Sequence, residues 1–136
     1  MSDGSALEIV SAYQDAWTGK DFAAAERYLA PDVVFHSSGQ QHLATIGDFL
    51  TMLTTFAERI QPRWDKVAAL EDAHGVLILY KLFTTDGAPA LCADYFTVRD
   101  SKIQSETLVF DPEPFLIARR QESDAAASQL TREENP

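Results

Sequence analysis

The sequence VLILYKLFTTDGAPALCADYFTV, residues 76–98, contains two short apolar runs on either side of an Asp86–Gly87 pair. Both runs are rich in β-branched and aromatic residues, which is typical of strands. An Asp-Gly pair between two such runs is a strong hairpin signal. Similar runs on both sides extend the pattern to an antiparallel meander. The predicted strands are about 63–71, 76–84, 90–98 and 102–110.

The first half of the chain has helical periodicity instead. Ser5 is followed three residues later by Glu8, which is the spacing of a capping box at a helix start. A second, short helix is predicted from Asp21, and a third over 45–60, where apolar residues recur at intervals of three and four. The apolar face of the first helix consists of Ile9, Val10, Tyr13, Ala16 and Trp17.

The stretch 32–36 between the second and third helices is predicted to be a strand. The predicted order is therefore α-α-β-α-β-β-β-β. Helices that precede a run of antiparallel strands indicate an α+β domain, in which a curved sheet wraps around helices on one side. We expect one domain over 1–115 and a polar C-terminal tail over 116–136.

Composition narrows the classes of function. The chain has 136 residues and a formal net charge of -10, which argues against nucleic acid or an anionic membrane as a partner. Cys92 is the only cysteine, so no disulfide can form within the chain. Because the first residues lack the pattern of a secretory signal and no apolar run could span a bilayer, we expect a cytoplasmic location.

Three polar side chains stand in apolar surroundings and are the candidate catalytic residues: Tyr13, His36 and Asp94. Their positions favour a lined pocket over a solid core. Each also has a structural alternative. Tyr13 can be a core aromatic bonded to a backbone carbonyl, Asp94 can pair with Lys81, and His36 can cap the end of its strand.

A two-residue turn at Asp86–Gly87 would place Asp94 opposite Leu79 and diagonal to Lys81. In that register Leu77 and Phe83 share the inner face with Asp94, and a turn at 100–101 adds Ile103, Ser105, Thr107 and Val109. Tyr80, Tyr95 and Leu108 would then point outward. The predicted substrate-binding residues are Trp17, Val34, Leu53, Phe56, Phe83, Cys92 and Phe96. The three histidines, at 36, 42 and 74, have no metal-ligand spacing, so we expect no metal.

Three segments carry a resemblance to a known family: Ile9–Trp17, Leu29–Phe35, and Asp94–Val98 followed by Lys102–Ile103. With the order of elements, they resemble the nuclear transport factor 2-like superfamily, which includes SnoaL-like proteins and steroid Δ-isomerases. The resemblance covers about residues 5–115 and implies a cystatin-like α+β cone.

In the isomerase branch, a tyrosine and a neutral aspartic acid donate to a dienolate oxygen while a carboxylate base moves the proton. The resemblance implies the donor roles for Tyr13 and Asp94 and the role of base for His36, where an imidazole replaces the carboxylate. The resemblance implies that epoxide hydrolases of this fold use an Asp-Arg-Asp arrangement, with the arginine beside the strand carboxylate. Here the neighbour on that face is Cys92, which disfavours that activity. Dehydratase chemistry through His36 and Tyr13, or polyketide cyclase chemistry through Asp94 or His36, stays open.

We therefore expect a small enzyme that needs no cofactor and transfers a proton on an apolar carbonyl compound, as an isomerase, cyclase or dehydratase does. The alternative is a non-catalytic ligand-binding or dimerisation module of the same fold. We also expect a homodimer, because curved open sheets commonly cover their outer face with a second copy.

Overall fold

The computed structural model describes residues 5–37 and 42–117, so nearly all of the predicted tail over 116–136 lies outside the described residues. The α+β class is confirmed, and a short extra strand joins the predicted order. The elements are α1 (Ala6–Thr18), α2 (Phe22–Glu26), β1 (Leu29–Ser37), β2 (His42–Leu43), α3 (Ile46–Ala57), β3 (Asp65–Glu71), β4 (Gly75–Phe83), β5 (Pro89–Arg99) and β6 (Lys102–Phe110).

Each helix begins at a side chain that accepts a hydrogen bond from its first turn. Ser5 Oγ accepts from the N–H of Glu8 at 3.2 Å, and Thr45 Oγ1 accepts from the N–H of Asp48 at 3.1 Å. Asp21 caps α2 in the same way. These bonds satisfy backbone donors that a helix leaves unpaired, so the starts of the helices are encoded locally.

The six strands form one curved, unclosed sheet in the order β2-β1-β6-β5-β4-β3. β1 runs parallel to β6, and all other neighbours are antiparallel. α1 and α3 contact strands of this sheet, and the core lies between the helices and the inner face. Its largest fully buried side chains include Tyr13, Tyr80, Phe35, Phe49 and Phe96.

The register between β4 and β5 differs from the predicted one. Phe83 pairs with Pro89, so residues 84–88 form the loop, and Asp94 pairs with Ile78 instead of Leu79. Successive strand residues point to opposite faces, so this slip of one residue exchanges the two faces of β4. The predicted inward position of Leu77, which is 42% exposed, was therefore wrong, and Tyr80, predicted outward, is buried at 1% exposure. Phe83 is buried, at 9% exposure.

A bulge in β6 reverses the directions of the side chains that follow it, relative to the predicted ones. Thr97 pairs with Ser105 and Val98 pairs with Ile103, which leaves Gln104 as an extra residue on β6. Ile103 faces inward as predicted. Beyond the bulge, however, Glu106 is buried and Thr107 and Val109 are exposed, so the predicted inward face of Ser105, Thr107 and Val109 was wrong.

In the described part of the chain, none of the helices has the length and apolar character that a bilayer crossing requires.

Two glycines give a matched test of the packing. A Cβ added to Gly75 would lie 1.9 Å from the carbonyl oxygen of Phe96, whereas a Cβ on Gly47, in α3, meets nothing within 4 Å. We expect Gly75→Ala to lower the free energy of unfolding by about 3 kcal/mol, because strand backbones would have to separate. Gly47→Ala should raise it by up to about 1 kcal/mol, since alanine favours the helix. Urea denaturation measures both, and equal stability of the two variants would contradict the close approach.

Candidate functional site

Two carboxyl groups lie side by side inside the apolar core, one on β5 and the other on β6. Asp94 is fully buried and Glu106 is 5% exposed. The Tyr80 hydroxyl, from β4, donates to Asp94 Oδ2 at 2.9 Å. Asp94 pairs with Ile78 and Leu108 across its two neighbouring strands, so apolar side chains surround it on the inner face.

Burial determines the protonation of the pair. Loss of water raises the pKa of Asp94 to about 7, although hydrogen bonds from Glu106 and Tyr80 act in the opposite direction. Burial, and next the charge of Asp94, raise the pKa of Glu106 well above its usual range. Two carboxyls this close in an apolar interior cannot both be ionised at low cost, so near neutral pH they share one proton.

Tyr13 and Gln14 of α1 approach the same group. Burial and the charges of Glu106 and Asp94 raise the pKa of the Tyr13 phenol well above its usual range, so the hydroxyl stays protonated. Trp17 Nε1 donates to Gln14 Oε1 at 2.6 Å, which directs the amide N–H groups of Gln14 toward Tyr80. α1 thus covers the side of the site opposite the sheet.

The site contains unpaired polar atoms. Among the described residues, no hydrogen-bond partner is present for the buried Tyr13 hydroxyl, Gln14 Nε2, Asp94 Oδ1 or Glu106 Oε1. A buried polar atom without a partner costs about 1–3 kcal/mol, and native structures contain few of them. The predicted structural alternative for Tyr13, a bond to a backbone carbonyl, is therefore not what the fold provides.

A pocket of about 470 Å³ adjoins the carboxyl pair. Glu106, Tyr80 and Cys92 line it, and most of the remaining wall is apolar. Burial raises the pKa of the Cys92 thiol to about 12, which makes it a poor nucleophile and leaves it a wall residue. The pocket is bounded by Trp17, Phe35, Ser37, Leu43, Asp48, Thr51, Met52, Leu53, Thr55, Phe56, Arg59, Tyr80, Leu82, Cys92, Glu106, Leu108 and Phe110.

Four of the seven predicted substrate-binding residues line this pocket: Trp17, Leu53, Phe56 and Cys92. The other three lie elsewhere. Val34 is half-buried, while its neighbours in β1 face the core. Phe83 is buried outside the pocket, with the guanidinium carbon of Arg63 3.6 Å from its ring centre. Phe96 belongs to the core, with its ring 6.0 Å from that of Tyr13.

His36 is not brought together with Tyr13 and Asp94. It is exposed at the end of β1, and its Nδ1 lies 3.0 Å from Nδ1 of His42, its partner across β2. Because Phe35 takes the inward position, strand alternation turns His36 to the opposite face. The position agrees with the structural alternative for His36. Of the three candidate catalytic residues, only Tyr13 and Asp94 lie near each other in the core.

The alternative ion pair of Asp94 with Lys81 is excluded by the register. Lys81 is exposed and pairs with Leu91, whereas Asp94 faces the core.

Sequence reasoning missed Glu106 and Tyr80, although both lie in predicted strands. The available signal was an acidic residue within the strand-forming run 102–110. Alternation alone placed it outside, because the bulge at Gln104 has no clear mark in the sequence.

Within residues 5–37 and 42–117, no three His, Cys, Asp or Glu side chains are grouped to hold a metal ion.

Comparisons with known proteins show the family and the fold of the chain. A family model for the SnoaL-like domain matches residues 10–106. No curated protein matches the chain. A solved structure from Kribbella flavida is similar, with 29% sequence identity, a TM-score of 0.78, and coverage of 87% of this chain and 96% of that one.

Two more distant structures show the fold alone. An LEH-like epoxide hydrolase of M. tuberculosis has 19% identity and a TM-score of 0.70, covering 91% of this chain and 96% of its own. A proposed SnoaL-like polyketide cyclase of Shewanella denitrificans has 11% identity and a TM-score of 0.70, covering 85% and 97%.

The carboxyl pair predicts how stability depends on pH. Both acids have a higher pKa in the folded chain than in the unfolded one, so the folded state binds more protons. Their contribution is complete below about pH 4 and falls as pH rises through the folded pKa values, by up to about 1.4 kcal/mol per pH unit for each group. Urea denaturation between about pH 5 and pH 8 should show this loss.

Substitutions of acidic residues test whether the carboxyl pair causes the pH dependence of stability. The double variant Asp94→Asn with Glu106→Gln should flatten the profile, whereas Glu113→Gln, on an exposed side chain, should not. An unchanged slope in the double variant would contradict the shared proton.

Proposed function

The chain belongs to the SnoaL-like domain family of the nuclear transport factor 2-like fold, and from that premise we propose that it is an enzyme acting without a cofactor. The proposed reaction is proton transfer at a carbon next to the carbonyl of a small apolar compound. One observation carries the proposal: a buried pair of carboxyl groups, of which Glu106 lines an apolar pocket and Asp94 lies against it.

Glu106 is the proposed catalytic residue because it borders the pocket, whereas Asp94 and Tyr13 do not. When the shared proton lies on Asp94, the Glu106 carboxylate can accept a proton from the ligand. When the proton lies on Glu106, the same group can return it. Burial raises the pKa of Glu106, and a carboxylate with a raised pKa is a stronger base than an ordinary one, which suits this task.

The step keeps its atoms and electrons in balance. Glu106 takes the proton of the C–H bond next to the carbonyl, and the electron pair of that bond moves to the carbonyl oxygen as an enolate. The proton then returns from Glu106 to the same carbon. Where a C=C bond lies β,γ to the carbonyl, the enolate is a dienolate, and return of the proton to its γ-carbon gives the conjugated isomer. No other reactant is consumed.

Tyr80 is the proposed donor to the enolate oxygen. Tyr80 lines the pocket, and its hydroxyl donates to Asp94 at 2.9 Å. A neutral carboxyl is a weaker acceptor than a carboxylate. When Asp94 holds the proton, the Tyr80 hydroxyl is therefore less firmly held and can turn to the ligand. The state in which Glu106 acts as base is thus the state in which the donor is available.

Exchange of ligand protons with solvent tests the chemistry. We expect the protein to exchange the α-protons of methyl β-naphthyl ketone for deuterium, followed by proton NMR. Glu106→Gln should slow the exchange roughly 100- to 10,000-fold, because it removes the base. Tyr80→Phe should slow it roughly 10- to 100-fold, because it removes one donor.

His36→Ala separates the structural assignment from the sequence-based one. The exposed position of His36 predicts an unchanged rate, and a loss as large as that of Glu106→Gln would contradict Glu106 as the base. If the wild type binds the ketone without exchanging it, the non-catalytic ligand-binding alternative replaces the enzyme.

We also propose a homodimer formed through the outer face of the sheet. Leu70 pairs with Leu77, and Leu79 lies in line with Ala93 and Val109 across three strands. Leu70 is 71% exposed and Val109 is 55% exposed. Contiguous apolar side chains on the surface of a soluble domain indicate an interface.

Charged substitutions on this face test the dimer. Leu77→Lys and Val109→Lys should convert a dimer to a monomer in size-exclusion chromatography with light scattering, because burying the ammonium group disfavours association. Ala23→Lys, on the exposed side of α2, is the control. A wild-type monomer at high protein concentration would contradict the proposal.

A further inference from the structure

We infer that Arg59 binds an anionic group of the ligand at the open end of the pocket, so that the ligand is an apolar ring compound with a carboxylate opposite its carbonyl. The inference rests on the proposed function, because it takes the carbonyl to lie at Glu106.

Among the described residues that line the pocket, Arg59 is the one cation. It is exposed, and it follows the C-cap residue Glu58 of α3. The ion pairs of the described residues join Arg63 to Asp65 and Arg99 to Asp100, and neither includes Arg59. In a chain with 21 acidic and 11 basic residues, an arginine at a pocket without an ion-pair partner has its guanidinium available to a ligand.

Acidic side chains elsewhere in and beside the pocket limit an anionic ligand to one orientation. Asp48, Thr51, Thr55 and Arg59 follow one another at helical spacing and all line the pocket. Asp48 lies in the first turn of α3 and Arg59 follows its C-cap, so most of the length of the helix separates the two residues. An anionic ligand group is repelled from Asp48 and from the carboxyl pair, which leaves the end with Arg59.

Aromatic rings connect this end to the interior. Phe56 lies three residues before Arg59, its ring centre 6.2 Å from that of Trp17 and 6.1 Å from that of Phe110. All three rings line the pocket. A flat apolar ring system can pack among them while its charged group remains at the guanidinium, where both bidentate bonds and partial hydration are possible.

Two ligands of nearly equal shape test the inference: β-naphthoate, which is anionic, and methyl β-naphthyl ketone, which is neutral. Calorimetry gives a dissociation constant for each with the wild type, Arg59→Gln, Arg59→Lys and Arg99→Gln. Arg99 is the control because it is an exposed cation outside this pocket. The readout is the ratio of the two constants, which does not depend on turnover.

We expect the wild type to favour the naphthoate, and Arg59→Gln to weaken its binding about tenfold relative to the ketone. Arg59→Lys should restore part of the preference, and high salt should reduce it. Arg99→Gln should leave the ratio unchanged.

Equal preference in the wild type, an equal effect of Arg59→Gln and Arg99→Gln, or binding of neither ligand would each overturn the inference. The proposed function fails separately, when Glu106→Gln exchanges ketone protons as fast as the wild type.

Discussion

Two carboxyl groups, Asp94 and Glu106, share an interior built mainly from aromatic and aliphatic side chains. An apolar interior tolerates one charge there far better than two, so folding retains a proton between them. Tyr80 stabilises the charge that remains, by a hydrogen bond to Asp94. The pair makes this region less stable than a hydrocarbon core would be, and such arrangements are typical of functional sites.

The sheet brings these groups together through two local irregularities. The loop 84–88 sets the register of β4 against β5 and turns Tyr80 inward. The bulge at Gln104 sets the register of β6 and turns Glu106 inward. A slip of one residue at either place would replace a functional side chain by its neighbour on the other face. Bulges often have this effect beside active sites, where they redirect a side chain.

The pocket combines three kinds of environment along one helix and the facing strands. Glu106 lies in its wall with Asp94 behind it, the aromatic rings of Trp17, Phe56 and Phe110 line it, and Arg59 lies exposed just beyond the C-cap of α3. A ligand with matching parts would fill all three regions. The mainly apolar wall supplies affinity, while the few polar groups determine orientation.

The sequence by itself determined the class of the fold, most of the element boundaries, and Asp94 as a buried acid, because caps, periodicity and turn residues act over a few neighbouring positions. Four pocket wall residues were also predictable, since they lie on apolar faces. Only the tertiary structure decided that Glu106 and Tyr80 enter the site and that His36 leaves it. Those outcomes depend on loop length, on a bulge and on strand pairing, in which a change of one residue reverses the direction of every side chain that follows.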